Sequence, residues 1–209
     1  MADDFPLLLL EWSREIQALS QTGLTFSQTD YDVERYRRLS QLAAAMAAEA
    51  STLDHGVLEK IFLAQPGYAT PKVDVRGAVI DDGKILLVQE RMDERWCMPG
   101  GWADVGETPA EMVVREVWEE SGFHVRPTKV IAVFDANRGG RPIEFFHAYK
   151  IIFACAITGG AARTSNETMA LDFFSFDDLP PLSTARTNEA HLAEVRAHVA
   201  DKNRPAAFD

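Results

Sequence analysis

The first third of the chain carries apolar residues at helical spacing. Four of them predict a first helix that we expect to stop at Gly23: Leu7, Leu8, Ile16 and Leu19. Thr29 followed by Asp32 resembles a capping box that opens a long helix through Ala50. A third helix is predicted over residues 54–64, ahead of a proline and a glycine. Because three short helices bury little surface, we expect this part to pack on the rest of the protein or on a second subunit.

After Pro71 the apolar residues change from helical spacing to alternation, as in Val73, Val75, Gly77 and Val79. Asp82–Gly83 marks a tight turn before a return strand at 85–88. Further elements follow: a helix at 109–121, strands near 129–134, 145–156 and 171–176, and a last helix at about 188–200. This order predicts an α/β fold with a mixed sheet covered by helices on both faces. We accordingly divide the chain into a helical domain over 1–66 and a second domain over 67–209.

The charge and composition of the chain exclude several classes of function. A formal net charge of −11 argues against a surface that grips a nucleic-acid backbone. The apolar run at 7–10 is too short to span a membrane and lacks the flanks of a signal peptide. Two cysteines, Cys97 and Cys155, are too few for a disulfide framework, which favours a reducing compartment. We therefore expect a cytoplasmic protein without a nucleic-acid or membrane partner.

Residues 101–123 carry the candidate chemistry on a helix whose ends are well marked. Thr108 is expected to cap the helix, with Pro109 at its first position and Glu111 completing a capping box. Gly122 is expected to end it. On a wheel of about 100° per residue, three carboxylates share one face: Glu116, Glu119 and Glu120. The apolar residues lie on another arc, which we expect to be buried: Ala110, Val113, Val114, Val117 and Trp118.

The acidic face of this helix has two interpretations. Three like charges within one turn repel one another, and oxygen ligands gathered in this way suit Mg²⁺ or Mn²⁺. A solvated surface of glutamates is the alternative, and the spacing alone leaves the choice open. Arg115 lies four residues from both Glu111 and Glu119, where it can orient a carboxylate.

The same segment resembles the signature of the Nudix hydrolases, which runs glycine, five residues, glutamate, seven residues, then Arg-Glu-apolar-any-Glu-Glu-any-Gly-apolar. Each fixed position has its counterpart here: Gly101, Glu107, Arg115, Glu116, Val117, Glu119, Glu120, Gly122 and Phe123. The resemblance implies a Nudix α/β/α sandwich with a mixed sheet, preceded in this chain by the small helical domain. It also implies that this loop and helix bind metal and pyrophosphate, and that the activity is a metal-assisted displacement at phosphorus.

The resemblance assigns the metal site to the acidic face and the loop before it. Glu116 and Glu120 are the implied main ligands, with Glu119 binding directly or through water. The backbone carbonyl of Gly100 is an implied further ligand. The expected cofactor is Mg²⁺, with Mn²⁺ as a substitute.

The resemblance also implies supporting and proton-transfer roles. Glu107 is expected to contact the helix arginine or a metal-bound water, and Arg115 to orient carboxylates rather than donate a proton. Three carboxylates are candidates for the general base, and the choice among them stays open: Glu119, Glu120 and Glu167. Glu167 lies in the loop after residues 159–160, and an ordinary loop glutamate is its alternative interpretation.

Beyond the signature, the chain resembles a bacterial Nudix group with a helical N-terminal extension. The supporting segments are WSREIQALSQTGLTFSQTDYDVERYRRL, TPKVDVRGAVI, PGGWADVGE and FHAYKIIFACAITGG. Members of that group hydrolyse ADP-ribose, CDP-choline or similar compounds, which implies a small nucleotide substrate and release of a nucleoside monophosphate. We expect the N-terminal helices to build a homodimer interface or one wall of the substrate pocket, and a structural cap is the alternative. The rival functions are hydrolysis of nucleoside triphosphates and, from another class, ligand sensing without catalysis.

Residues outside the signature give weaker indications of substrate contacts. Three aromatic residues can stack on a nucleobase, although packing is their commoner role: Trp102, Phe146 and Tyr68. Three arginines can contact a phosphate, although an exposed salt bridge is the commoner role: Arg76, Arg91 and Arg138. His147 and Cys97 are expected to be packed rather than catalytic.

Overall fold

The computed structural model describes residues 5–51, 54–138 and 146–209, and those residues form five helices and seven strands. They form two compact units: the first ends at Pro71 and the second begins at Lys72. A short segment that ends at His147 is grouped with the first unit. The division into domains after residue 66 stays a prediction, because compactness alone does not show that either part folds independently. Over the same ranges, no helix combines the length and the apolar character that crossing a bilayer requires.

The first unit is built from three helices: α1 over Phe5–Phe26, α2 over Asp30–Glu49 and α3 over His55–Leu63. Thr29 caps α2, and its side-chain oxygen accepts a hydrogen bond from the backbone N–H of Asp32. The buried face of α2 carries only small side chains: Ser40, Ala43, Ala44 and Ala47. Small residues let α1 approach closely, and the Ser13 hydroxyl donates to the Ala43 carbonyl at 2.7 Å.

The prediction that the first helix stops at Gly23 is wrong, because α1 continues to Phe26. Gly23 lies against Tyr36 of α2, and a Cβ at this position would come within 2.4 Å of the Tyr36 ring. The glycine therefore allows close packing of two helices. This tertiary contact offsets its helix-breaking tendency of about 1 kcal/mol.

The second unit contains a sheet whose described strands are β1 Lys72–Asp81, β2 Lys84–Glu90, β3 Trp96–Cys97, β4 Phe123–Asp135, β5 Ala148–Gly160, β6 Thr168–Phe174 and β7 Ala207–Phe208. Two helices accompany it, α4 over Pro109–Ser121 and α5 over Glu189–Ala200. The strand order is β3–β2–β1–β5–β4–β7, and β6 also pairs with β2. β1–β5 and β4–β7 are parallel pairs, whereas the other pairs are antiparallel, so the sheet is mixed.

Each face of the sheet is covered by one of these helices. On one face, Met112 and Val117 of α4 pack in a core with Val75 of β1. On the other face, Leu192 of α5 belongs to a core with Ala78 of β1. Val75 and Ala78 point to opposite faces because side chains alternate along a strand. The predicted α/β/α sandwich with a mixed sheet is therefore confirmed.

Several strand boundaries differ from the predicted ones. β4 begins at Phe123 rather than near 129, because its pairing with β5 continues through Pro127 across irregular registers. β5 ends at Gly160 rather than 156, and its predicted start at 145 lies outside the described residues. β6 begins at Thr168, three residues before its predicted start. β3 and β7 were not predicted, because strands of two residues carry no period.

Candidate active site

Local capping defines the start and the end of α4. Thr108 is the cap, Pro109 stands in the first turn and Glu111 completes the capping box, as predicted. The Glu111 carboxylate accepts hydrogen bonds from the backbone N–H and the hydroxyl of Thr108. The Glu111 carboxylate therefore binds the capping residue Thr108 rather than its predicted partner Arg115. Gly122 ends the helix with φ of 77°, a conformation that glycine adopts without strain.

The buried face of α4 differs from the predicted apolar arc. It consists of Met112, Val113, Val117, Glu120 and Ser121. Ala110 and Trp118, which we expected inside, are exposed. Trp118 instead stacks on His124 and lies beneath the guanidinium of Arg163, 5.2 Å from its carbon. The helix thus buries Glu120, one of the three glutamates of its acidic face, and the positions of the apolar residues on the helical wheel do not predict this.

The loop before α4 runs along β1 and brings two predicted metal ligands together. The backbone N–H of Val75 donates to the carbonyl of Gly101 at 2.9 Å. Gly100 has φ of 144°, and a Cβ there would lie 2.0 Å from the Val75 carbonyl oxygen, so only glycine fits. The N–H of Gly100 donates to Glu120 Oε2 at 3.0 Å. A predicted backbone ligand and a predicted carboxylate ligand are therefore adjacent.

Glu120 is the most deeply buried of the three glutamates, with 5 % of its surface exposed. Burial, together with the negative charges of Glu90 and Glu116, raises the pKa of its carboxyl from 4.5 to about 8. The charge of Arg76 and the hydrogen bond from Gly100 oppose this rise without cancelling it. A carboxylate that is costly to ionise in the folded protein gains from the binding of a divalent cation.

Glu116 lies beside it, with its carboxylate against Gly101. A Cβ on Gly101 would come within 3.1 Å of Glu116 Oε1. Burial raises the pKa of Glu116 against the opposing charge of Arg115. The negative charges of Glu119 and Glu167 add to this rise. Glu167 is thus near enough for its charge to act on Glu116, although 51 residues separate the two along the chain.

Arg115 contacts four carboxylates, which belong to Asp104, Glu107, Glu116 and Glu119, at 3.0, 3.0, 3.2 and 3.0 Å. Hydrogen bonding to Glu107 raises the pKa of the guanidinium, which therefore stays charged. This geometry supports the predicted role of an orienting residue. The contact with Asp104 was missed because eleven residues separate it from Arg115, beyond the reach of helical pairing rules.

The donor atoms at this site fit a hard divalent cation. Glu116, Glu119 and Glu120 supply carboxylate oxygens, which such cations prefer. Across residues 5–51, 54–138 and 146–209, no three acidic, histidine or cysteine side chains already stand in metal-binding geometry. Arg115 Nη1 instead contacts both Glu116 and Glu119. A bound cation would offset the cost of ionising Glu116 and Glu120, so these residues suit the expected metal.

A buried ion group lies on β1 and β5, where Asp74, Arg76 and Lys150 are each at most 5 % exposed. Arg76 donates to both carboxylate oxygens of Asp74, at 2.9 and 2.8 Å, and Lys150 Nζ donates to Oδ1 at 3.0 Å. Burial acts to raise the pKa of Asp74, but the two cations hold it below its ordinary value. Arg76 also donates to the Met98 carbonyl. The guanidinium of Arg76 is thus enclosed and already bonded, and its expected contact with a substrate phosphate stays a prediction.

The other candidates for substrate contact have different surroundings. Trp102 is exposed, and Arg138 is exposed and pairs with Asp135 at 3.2 Å, so their substrate roles stay predictions. Tyr68 is also exposed, and its stacking role stays a prediction. The stacking role of Phe146, which is half-buried, and the packed role of His147 stay predictions too.

Cys97 is fully buried, and burial raises the pKa of its thiol, which agrees with a packed residue rather than a nucleophile. Cys155 is also a buried free cysteine. Free thiols fit a reducing compartment, and the cytoplasmic location stays a prediction.

Besides Asp74 and Asp104, the structure adds a third acidic residue that the sequence did not single out. Glu90, at the end of β2, is 8 % exposed, and its carboxylate accepts a hydrogen bond from the Cys97 thiol at 3.3 Å. Arg186 Nε lies 3.4 Å from the same carboxylate. The charge of Glu90 contributes to the raised pKa of Glu120. A single glutamate at a strand end carries no sequence signal, and only the fold brings it near the site.

The comparisons with known proteins agree with this geometry. Residues 71–195 match the NUDIX domain family, and residues 8–62 match a family described as a UDP-X-like, N-terminal oligomerisation domain. The chain is 42 % identical over 200 residues, 96 % of each chain, to YjhB of Bacillus subtilis (strain 168), which carries a provisional ADP-ribose pyrophosphatase name.

Two solved structures resemble the whole chain or its larger part. A UDP-X diphosphatase is 32 % identical, covers 98 % of this chain and 99 % of its own, and superposes with a TM-score of 0.63. An ADP-ribose pyrophosphatase from Streptococcus suis is 37 % identical, covers 67 % of this chain and all of its own, with a TM-score of 0.60.

The mixed sandwich and its acidic helix define an enzyme of the pyrophosphohydrolase class. The chain belongs to the Nudix family.

Proposed function

We propose that this enzyme hydrolyses the pyrophosphate bond of a nucleoside diphosphate linked to another group, uses Mg²⁺, and releases a nucleoside monophosphate. The observation that carries the proposal is the buried Glu120 carboxylate bonded to Gly100 in the loop that opens α4. The names of two similar structures, an ADP-ribose pyrophosphatase and a UDP-X diphosphatase, support this substrate class. CDP-choline belongs to the same chemical class and is included on that ground.

Each residue of the site would have its own role in this reaction. Glu116, Glu120 and Gly100 would hold the cation, which when bound neutralises phosphate oxygens and lowers the pKa of a coordinated water. Arg115 would keep the carboxylates on its side of the helix in a fixed orientation, since it bonds to four of them. Glu167 would accept the proton of the attacking water at a carboxylate oxygen.

Glu167 is our choice among the three candidate bases because of what the other two contact. Glu119 is held by Arg115 at 3.0 Å, and Glu120 is buried against Gly100. Glu167 is exposed, yet its charge acts on Glu116. A base must reach both the water and the solvent to which it passes the proton, and an exposed carboxylate beside the site meets both needs.

A substrate screen tests the proposed reaction. We expect the purified protein with Mg²⁺ to release AMP from ADP-ribose, or the corresponding monophosphate from CDP-choline or a UDP-sugar. We expect nucleoside triphosphates to react with a kcat/KM at least about 100-fold lower. Chelation should stop the reaction and added Mg²⁺ or Mn²⁺ should restore it. Conversion of triphosphates to monophosphates as the dominant activity, measured by chromatography of the products, would contradict the proposal.

We further propose that the enzyme is a homodimer formed through its N-terminal helices. Four large apolar residues on α1 are exposed and lie seven residues apart: Phe5, Trp12, Leu19 and Phe26. A seven-residue apolar repeat places side chains along one narrow stripe of a helix, as at the seam between packed helices. The match of residues 8–62 to an oligomerisation domain supports the same interpretation. A wall of the substrate pocket and a structural cap stay alternative predictions for these helices.

Light scattering after size-exclusion chromatography tests the dimer. We expect the unaltered protein to have twice the chain mass of 23.2 kDa. Leu19→Glu places a charge in the middle of the stripe and should shift the mass to that of one chain, because burying an unpaired charge costs several kcal/mol. The control is Val57→Glu on α3, an exposed apolar residue outside the stripe, which should leave the dimer intact. Equal masses for the unaltered protein and Leu19→Glu would contradict the proposed interface.

A further inference from the structure

The loop that carries Glu167 is attached to the end of α4 at two points. The backbone N–H of Arg163 donates to the Ser121 carbonyl at 2.9 Å. At the other end of the loop, the hydroxyl of Thr168 donates to the Glu120 carbonyl at 3.0 Å. Thr168 is fully buried, whereas Glu167 next to it is exposed. These bonds keep the loop beside the acidic helix, but they do not fix the direction in which Glu167 leaves the backbone.

Arg91, the residue directly after β2, holds both peptide groups that flank the Cα of Glu167. Its side-chain Nε donates to the Asn166 carbonyl at 3.0 Å, and its backbone N–H donates to the Glu167 carbonyl at 2.9 Å. Because a peptide group is planar, fixing a carbonyl fixes the N–H of the same plane. The two hydrogen bonds therefore restrain both backbone dihedrals of Glu167, and with them the starting direction of its side chain.

We propose that Arg91 is a positioning residue that aims the Glu167 carboxylate at the acidic face of α4 through its hydrogen bond to the Asn166 carbonyl. This inference rests on the proposed function, in which Glu167 takes the proton. The backbone bond from Arg91 survives any substitution except proline, whereas the side-chain bond depends on an N–H at the position of Nε. Positioning of a base affects the chemical step, so substitutions of Arg91 that remove the donor at Nε should lower kcat and leave KM nearly unchanged.

Three substitutions separate this role from direct contact between the Arg91 charge and a substrate phosphate. Arg91→Ala removes both the donor and the charge, and we expect kcat to fall by roughly 10-fold, as for other residues that support a catalytic group. Arg91→Gln keeps an amide N–H four bonds from the Cα, where Nε stands, and should retain kcat within about 2-fold. Arg91→Lys keeps the charge but has no donor at that position, and should resemble Arg91→Ala. If lysine preserves activity and glutamine does not, Arg91 acts through its charge and the proposal is overturned.

A double-mutant cycle with Glu167→Gln supplies the decisive readout, since a merely structural residue acts regardless of Glu167. We expect Glu167→Gln to lower kcat by roughly 100-fold or more, and Arg91→Ala to lower it by less than about 2-fold in that background. Equal effects of Arg91→Ala in both backgrounds, or an unchanged kcat for Arg91→Ala alone, would overturn the proposal.

The remaining outcomes separate this proposal from the proposed function. Full activity of Glu167→Gln would overturn the choice of base and this inference together. Absence of monophosphate from every substrate tried with the unaltered enzyme would instead overturn the proposed reaction itself.

Arg126→Ala on β4 is the control variant, because it removes another exposed arginine and should leave kcat unchanged. Thermal unfolding of each variant checks that it is folded.

Discussion

Replacing Glu120 by glutamine is expected to stabilise the metal-free protein and to remove most of its activity. Glutamine keeps the size of the side chain and an oxygen that can accept from the Gly100 N–H, but it carries no charge. Loss of an implied metal ligand should lower kcat/KM with Mg²⁺ by more than about 100-fold, beyond the usual cost of losing a supporting residue. The stability gain arises because the buried carboxylate is costly to ionise.

The sign of the pH dependence follows from the raised pKa of Glu120. Its value is about 8 in the folded protein against an ordinary value of 4.5, so the folded state binds more protons between these two pH values. The stabilisation by protonated Glu120 is fully present below pH 4.5 and is lost as pH rises through about 8. By pH 8, in the presence of a chelator, the free energy of unfolding of Glu120→Gln should exceed that of the unaltered protein by on the order of 4 kcal/mol.

Denaturant unfolding at pH 5 and pH 8 measures this difference directly. Glu119→Gln is the matched control, because Glu119 lies on the same helix but is exposed. The control should show no comparable gain between the two pH values. A stability difference for Glu120→Gln that does not grow with pH would contradict the assigned burial. Undiminished hydrolysis by Glu120→Gln would contradict its role as a metal ligand.

Asparagine in place of Asp74 is expected to cause a large loss of stability in the second unit. Asp74 is the shared partner of Arg76 and Lys150, and all three residues are buried. Removing its charge leaves two enclosed cations without this carboxylate, a change that typically costs 3–5 kcal/mol, so we expect about 4 kcal/mol. The midpoint of urea denaturation should fall accordingly, with an unchanged dependence on urea concentration.

Two further variants test the cause of this loss. Asp178→Asn removes an exposed carboxylate and should change stability by less than about 0.5 kcal/mol. Adding Lys150→Met to Asp74→Asn removes one of the two cations and should recover part of the loss. The pKa of Asp74 is depressed, so its stabilisation is present above pH 3.8 and is lost as pH falls through the depressed value. A loss below 1 kcal/mol for Asp74→Asn would show that the cations are not bound to it in this way.

Local features of the chain could be predicted because their physics is local. The start and end of α4 depend on neighbours within four residues, namely Thr108, Pro109, Glu111 and Gly122, and all four act as expected. The alternation after Pro71 and the order of strands and helices likewise led to the correct sandwich. The predicted stop at Gly23 failed because a distant ring, that of Tyr36, occupies the space beside this glycine.

In the site too, some properties depend on residues close along the chain and others on distant residues. The spacing of Glu116, Glu119 and Glu120 places them on one face whatever surrounds the helix. Which of them is buried depends on the tertiary structure. Glu120 is enclosed by the loop at Gly100, and the positive charge of Arg76 acts on its carboxylate.

By itself, then, the sequence determined the helix, its caps, the acidic face and the family, because each depends on residues that are close along the chain. Only the tertiary structure decided that Glu120 is hard to ionise, that Arg76 is enclosed with Asp74, and that Arg91 holds the loop of Glu167. Burial and hydrogen bonding between distant segments set these properties, and no local spacing encodes them.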